Sequence, residues 1–330
     1  MELLEFAKKV QKALQEYYGD EAQIKSQQVY KNNGILLHGV CVMEKDKNVA
    51  PTIYLNELYR QYENGETFGN VIKQIIEMNE DYKVTKNFNM NFFLDYENVK
   101  KRLVLRLIHG EKNKELLKSL PHQKYMDLAV VCYCMVESEE IGAGTILIHK
   151  NHMEEWHIDE ETLFHDAFFN SPKIEPYQIM KMSDMVKMII ENMIAEQAEN
   201  FCLDEEQKEE FMEKMRESMV AKVESQNIPM YVLTNASRYY GAACILYPNV
   251  LEKIEQLFQD DFYILPSSVH EVILLGKKES MDSCSLNEMI QEINQTQVAR
   301  DEWLSDHTYL YQKKDKRLIP CENSWRNNRK

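Results

Sequence analysis

Glycine is scarce in this chain: ten residues in 330, where soluble proteins average ~7%. Loops that cradle phosphate need glycine so that backbone N–H groups can approach the ligand. Neither GxxxxGK[ST] nor GxGxxG occurs, and Gly142-Ala143-Gly144 reads as a turn before a strand instead of a strand-to-helix link. A P-loop or a Rossmann site is therefore not expected, and neither is a cofactor. Long apolar runs are lacking as well. The longest, Leu128 to Val136, has nine residues, against ~20 for a membrane span, so no membrane partner is expected. The first residues form an acid-bearing amphipathic stretch without the basic head and small-residue cleavage site of a secretion signal. Paired cysteines are missing too. There are seven, an odd count, with no CxxC. A disulfide framework or a structural zinc site needs regular pairs, so these read as reduced thiols packed as small hydrophobes in a cytoplasmic protein.

What the chain has in excess is acid. Lys and Arg number 39 against 54 Asp and Glu, a net charge of −15. That opposes the counterion release on which nucleic-acid binding rests. The charge is uneven: residues 313–330 carry seven bases against Asp315 and Glu322, a net +5, which leaves −20 for the first 312. Nucleic-acid contact is not expected except through this basic tail, and folding back on the acidic body is the preferred reading of it. Hydrophobic residues at 44% and charged residues at 28% describe a globular protein.

Apolar spacing at Leu3, Phe6, Ala7, Val10, Leu14 and Tyr17 predicts a helix over 3–18, closed by Gly19. Ile24–Tyr30 and Ile35–Met43 read as strands joined at Asn33-Gly34. Helices follow at 58–62 and 68–82, an extended piece at 88–94, an apolar strand with Arg106 inside it, and a helix at 111–120. Strands are expected at 126–136 and 144–148, then helices at 151–156 and 160–169, with Asp159 as N-cap and Ser171-Pro172 as the stop. From 179 to 223 the chain reads as Met-rich, acidic helix. Strand signals return at 230–234, 242–247, 262–265 and 269–275, with helices at 250–258 and 286–298 and a last extended segment at 303–311. Hairpins interleaved with helices, without strict βα alternation, predict an α+β fold. The expected organisation is an N-terminal α+β lobe (1–172), a helical connector (173–227), a C-terminal α+β lobe (228–312) and a mobile basic tail (313–330).

Several stretches carry a family resemblance: Pro51–Leu55, Val99–Ile108, Asn113–Leu117 with Pro121-His122, Gly241–Pro248, Asp261–Leu274 and Asp301–His307. In that order they resemble the bacterial family catalogued as domain of unknown function 5688, over nearly the whole chain. The resemblance implies a bacterial, cytosolic, single-chain protein and carries no activity. Met126–Asn170 loosely resembles part of a second bacterial family, in which two strands precede a helix with an acidic–Trp segment.

Three constellations contain reactive residue types. His149, His152 and His157 form H-x2-H-x4-H at a strand-to-helix junction. A catalytic zinc needs three converging ligands, but His157 lies off the face that holds His152. Surface histidines over a buried Trp156 are the preferred reading, and no metal is expected. His270-Glu271-Val272-Ile273-Leu274 begins like HExxH, but Leu274 stands where the second His must be. The same neighbourhood holds Ser267, Ser268, His270 and Glu271 at a tight junction, with Asp306 and His307 in the next segment. Ser, His and Asp are the types of a nucleophilic triad; turn capping by Ser267 or Ser268, with a structural His270–Glu271 interaction, is the preferred alternative. Asn235, Arg238, Tyr239 and Tyr240 lie in a loop between two apolar strands, fit to bind an anionic or aromatic group or else to cover the core. With no complete catalytic motif, a non-catalytic binding or protein-interaction module is expected, partnered by another protein. The alternative is a hydrolase built on the Ser267/His270/Asp306/His307 neighbourhood or the histidine cluster.

Overall fold

The computed structural model describes the chain apart from residues 1, 85, 86, 88, 139–141, 201–229, 267, 280–282 and 322–330. Helices stand beside three antiparallel sheets, an α+β fold. The described residues divide into two compact units: 1–104, 112–122 and 132–167 in the first; 105–111, 123–131 and 168–330 in the second.

The first unit opens with α1 (Leu3–Tyr18), which buries Phe6, Ala7, Val10 and Leu14 and ends at Gly19 with φ of 57°. β1 (Ala22–Tyr30) and β2 (Leu36–Glu44) pair antiparallel from Ala22↔Glu44 to Tyr30↔Leu36. Their turn places Asn33 and Gly34 at φ of 60° and 68°, the left-handed region a tight hairpin requires. The buried Asn113 amide locks that turn, accepting the Asn33 N–H at 2.8 Å and donating to the Asn32 and Asn33 side chains at 2.8 and 3.0 Å. β3 (Thr52–Tyr54) extends the sheet, and α2 (Leu55–Glu63) and α3 (Phe68–Tyr82) complete a core with α1 around Val40, Ile53, Leu58, Val71 and Ile75. Each such fully buried side chain contributes about 1.5–3 kcal/mol of transfer free energy.

Residues 90–94, expected to be extended, form a 3-10 turn. The Asn89 side chain accepts the Asn91 N–H at 2.9 Å, and a short polar side chain that bonds the backbone ahead of it favours a turn over a strand. Helix α4 (Tyr96–Val99) starts on Asp95 in the same way. After β4 (Leu103–His109), the helix expected over 111–120 shrinks to a 3-10 turn and α5 (Lys114–Leu117). β5 (His122–Tyr125), β6 (Leu128–Ser138) and β7 (Gly142–Leu147) complete a four-stranded sheet of order β4-β6-β5, with β7 on β6. α6 (Lys150–Trp156) follows, and the Trp156 indole donates to the Phe93 carbonyl at 2.9 Å. α7 (Glu160–Ile174) starts on Asp159, which accepts the Thr162 N–H at 2.8 Å. It runs through Pro172 instead of stopping there. A proline in the last turn forfeits one N–H, and the Glu175 N–H closes onto the Ser171 carbonyl at 2.9 Å beyond it.

The second unit is organised by a six-stranded sheet of order β13-β12-β10-β11-β9-β8. β8 (Tyr177–Lys181) pairs with β9 (Met230–Asn235), so Ile179–Lys181 is strand where helix was expected; α8 (Met182–Asn200) follows it. The rest of the expected connector, including the stripe Phe211 to Val223, lies outside the described residues. α9 (Val250–Phe258) precedes β10 (Phe262–Leu265), whose four side chains are all buried between β11 (Val272–Gly276) and β12 (Tyr309–Gln312). α10 (Ser283–Thr296) packs Leu286 and Ile290 against Tyr263, Leu265 and Leu275. The apolar run 242–247, expected as a strand, is instead a buried 3-10 turn over Gly241–Leu246 that ends at Tyr247. A short, fully apolar run has no periodicity to separate the two states.

Of the basic tail, residues 313–321 are described and folded. β13 (Arg317–Pro320) pairs with β12, and the turn between them sits on acids. Lys316 pairs with Glu255, the Lys313 N–H donates to Asp261 at 3.0 Å, and its ammonium donates to the Gln259 carbonyl at 2.9 Å. Residues 322–330 lie outside the described set. Among the described residues no helix is long and apolar enough to cross a membrane.

Candidate functional site

β9 ends at Asn235, which is buried, and the loop behind it wraps around that side chain. The Asn235 amide donates to the Tyr239 carbonyl at 2.9 Å, while its oxygen accepts the Tyr239 N–H at 3.1 Å and the Ser237 hydroxyl at 3.1 Å. Arg238 and Tyr240 are both held at φ of 55°, an uncommon conformation for residues with a Cβ, maintained only where surroundings fix it. Here they do. The Arg238 guanidinium lies against the Met188 sulfur at 3.2 Å. Gly241 has no space for a side chain: a Cβ there would lie 2.5 Å from the Asn235 nitrogen and 2.6 Å from the His270 carbonyl.

His270 supports the loop from below. Its Nδ1 accepts the Tyr240 N–H at 3.2 Å, so its proton sits on Nε2, which faces the Glu302 carboxylate at 3.3 Å. The ring packs against Tyr239 and Tyr240 at centroid distances of 5.3 and 5.5 Å, and the two tyrosines meet edge to face at 4.7 Å. Tyr239 is 52% exposed. Beneath Tyr240 lies the Arg106 guanidinium, 5.3 Å from the ring centroid. Arg106 and Glu175 are both buried and form a two-pronged ion pair, one prong at 2.9 Å. The Glu271 carboxyl is held above its ordinary value, chiefly by burial, with His270 opposing and Glu302 reinforcing the rise.

The Ser/His/Asp neighbourhood, the alternative to turn capping, is arranged around a backbone hydrogen bond and an Asp306–His307 pair. The Ser268 hydroxyl is buried and accepts the backbone N–H of His270 at 3.0 Å, a turn-capping bond that leaves the imidazole to Tyr240 and Glu302. The segment 301–307 does reach this place, through Glu302, whose carbonyl accepts the Val269 N–H at 2.9 Å. Asp306 pairs with the neighbouring His307 imidazole, and the His307 N–H donates to the Ser305 hydroxyl at 3.1 Å. Ser267 lies outside the described residues. Three stretches that carry the family resemblance, beginning at Gly241, Asp261 and Asp301, thus converge around His270.

The histidine cluster is built as a helix start. The His149 N–H donates to Nδ1 of His152 at 3.1 Å, and the His152 ring packs between Phe93 and Trp156 at 5.1 and 5.7 Å. Burial holds both imidazoles below their ordinary value. His157 is the left-handed C-cap of α6, at φ of 56° and exposed. Among the described residues no group of three or more His, Cys, Asp or Glu is disposed to hold a metal ion.

Sequence reasoning missed Glu302, although it lies in a quoted stretch, because nothing local marks it as a partner of His270. It noted Arg106 without naming an acid to match it. It also missed a cleft of about 320 Å³ lined by Lys124, Tyr125, Phe168, Tyr247 and Glu252, among others. Burial pushes the Tyr125 phenol up to about 12 and raises Tyr247 further, so both stay protonated and offer no ready base.

Searches of curated proteins and of solved structures gave no match. A family model matches residues 3–313, and the chain belongs to that family, described as a family of unknown function, DUF5688.

Proposed function

We propose that this protein is a non-catalytic binding module of the cytoplasm, and that the loop 235–240 is its recognition surface. One observation carries the reading: Tyr239 is half exposed, yet its backbone is clamped at both N–H and C=O by one buried amide. A large ring held rigid before a partner arrives loses little entropy on binding. Two of the groups that a hydrolase would use hold the backbone beside that clamp, which favours binding. The acceptor nitrogen of His270 holds Tyr240, and the Ser268 hydroxyl caps a turn; a general base must reach the nucleophile it activates. Free thiols at Cys41, Cys132, Cys134, Cys244, Cys284 and Cys321 suit a reducing compartment.

The test uses the full chain labelled with 3-fluorotyrosine, the Tyr239 resonance being identified by its loss in Tyr239→Phe. A library of cationic, anionic and neutral fragments is added, and chromogenic esters, amides and phosphoesters are assayed in parallel. Fragments that shift the Tyr239 resonance, with no turnover, are the expected result. A Tyr239 resonance that no fragment moves overturns the reading. So does turnover that disappears in Ser268→Ala and His270→Ala.

A further inference from the structure

We infer that the group recognised at Tyr239 is a guanidinium, presented as the arginine side chain of a partner protein. The inference rests on the binding reading above and narrows it to a ligand class.

The protein already contains the arrangement once, internally. Arg106 places its guanidinium over the Tyr240 ring at 5.3 Å and grips the Glu175 carboxylate with two nitrogens. A tyrosine face and a carboxylate together suit a planar, weakly hydrated, two-pronged cation better than a compact ammonium. The same two elements recur about His270. Tyr239 packs on the ring at 5.3 Å with its own ring half exposed, and the Glu302 carboxylate lies 3.3 Å from Nε2 with 44% of its side chain exposed. The Tyr239 face offers a ring quadrupole to a cation, and Glu302 offers two acceptor oxygens.

Charge favours the same class. Arg238, the cation in the loop, is turned onto the Met188 sulfur. The acids Glu271 and Glu302 lie on the His270 side. The first 312 residues carry a net −20, a field that draws cations and repels anions before contact.

The experiment is calorimetry on the full chain with N-acetyl-arginine amide and its uncharged isostere N-acetyl-citrulline amide. The arginine compound is expected to bind at least about tenfold more tightly, a difference of about 1.4 kcal/mol. Tyr239→Phe should preserve that preference, Tyr239→Ala should abolish binding, and Glu302→Gln should weaken the arginine compound alone, by about fivefold or more. Circular dichroism on each variant confirms that the fold persists. Equal binding of arginine and citrulline, or tighter binding of an anionic fragment, overturns the guanidinium inference and leaves the binding reading standing. Tighter binding of N-acetyl-lysine amide than of the arginine compound also overturns it. Failure of every probe at Tyr239 defeats the binding reading itself, so the two failures are distinguishable.

Discussion

At the scale of single residues, buried charge is decisive. Arg106 and Glu175 are 1% and 4% exposed and satisfy one another with two prongs. Removing one partner strands the other, so Arg106→Met is expected to destabilise the protein by about 3–5 kcal/mol, and Arg106→Met with Glu175→Leu to recover most of that loss. Urea unfolding of the single and double variants measures both. Glu271 gives a pH test. Its carboxyl is held above the ordinary 4.5 by burial, so the folded state favours the protonated form. That contribution is complete below the unfolded value and is lost as pH rises through the folded one. Glu271→Gln should therefore raise the melting temperature relative to wild type near pH 7 and leave it unchanged near pH 4; an equal effect at both would contradict the assignment. Residue types were legible in the sequence here, but partners were not. An arginine inside an apolar strand announces a buried acid, yet Glu175 is 69 positions away, and only the fold makes them neighbours.

At the scale of elements, the sequence was read best where a period is long. The stripe of α1, the Asn33-Gly34 hairpin and the limits of α9 all emerge from spacing. Short segments escaped. The turn at 90–94 is decided by a side-chain cap, and β8 by pairing with β9 across residues distant in sequence. The turn at 241–246 follows from packing at Gly241, where an added Cβ would also lie 2.2 Å from the Thr234 hydroxyl. Gly241→Ala is expected to cost about 1–3 kcal/mol or more by overpacking, visible as a lower melting temperature and a shifted Tyr239 environment. Asn287 of α10 joins two strand ends, accepting the Thr308 N–H at 2.7 Å and donating to the Cys321 carbonyl at 3.1 Å. Asn287→Leu should leave both backbone groups unsatisfied, at about 1–3 kcal/mol. It should also speed hydrogen exchange at the Thr308 amide, with little change in the first unit.

At the scale of the whole molecule, the charge distribution acquires structural meaning. Among the described residues the start of the basic tail is strand and turn, seated on Glu255 and Asp261, so part of the +5 is neutralised within the fold. The acidic remainder stays available for steering. Affinity for a cationic peptide is accordingly expected to fall with salt, since the Debye length shrinks from ~10 Å at 0.1 M to ~3 Å at 1 M; a salt-independent affinity would contradict a charge-led encounter. The candidate site was half legible in these terms. Asn235, Arg238, Tyr239, Tyr240 and His270 were all singled out, but as two unrelated groups, because their union comes from contacts across 30 residues of sequence: the hydrogen bond from Tyr240 to the His270 ring and the packing of that ring on Tyr239 and Tyr240. The most direct measurement is a crystal of the full chain soaked with N-acetyl-arginine amide. The guanidinium is expected over the Tyr239 face, within ~6 Å of the ring centroid, and against Glu302. A ligand lodged instead in the cleft beside Tyr125 and Tyr247, or none bound at a concentration that saturates the protein in solution, would contradict the assignment.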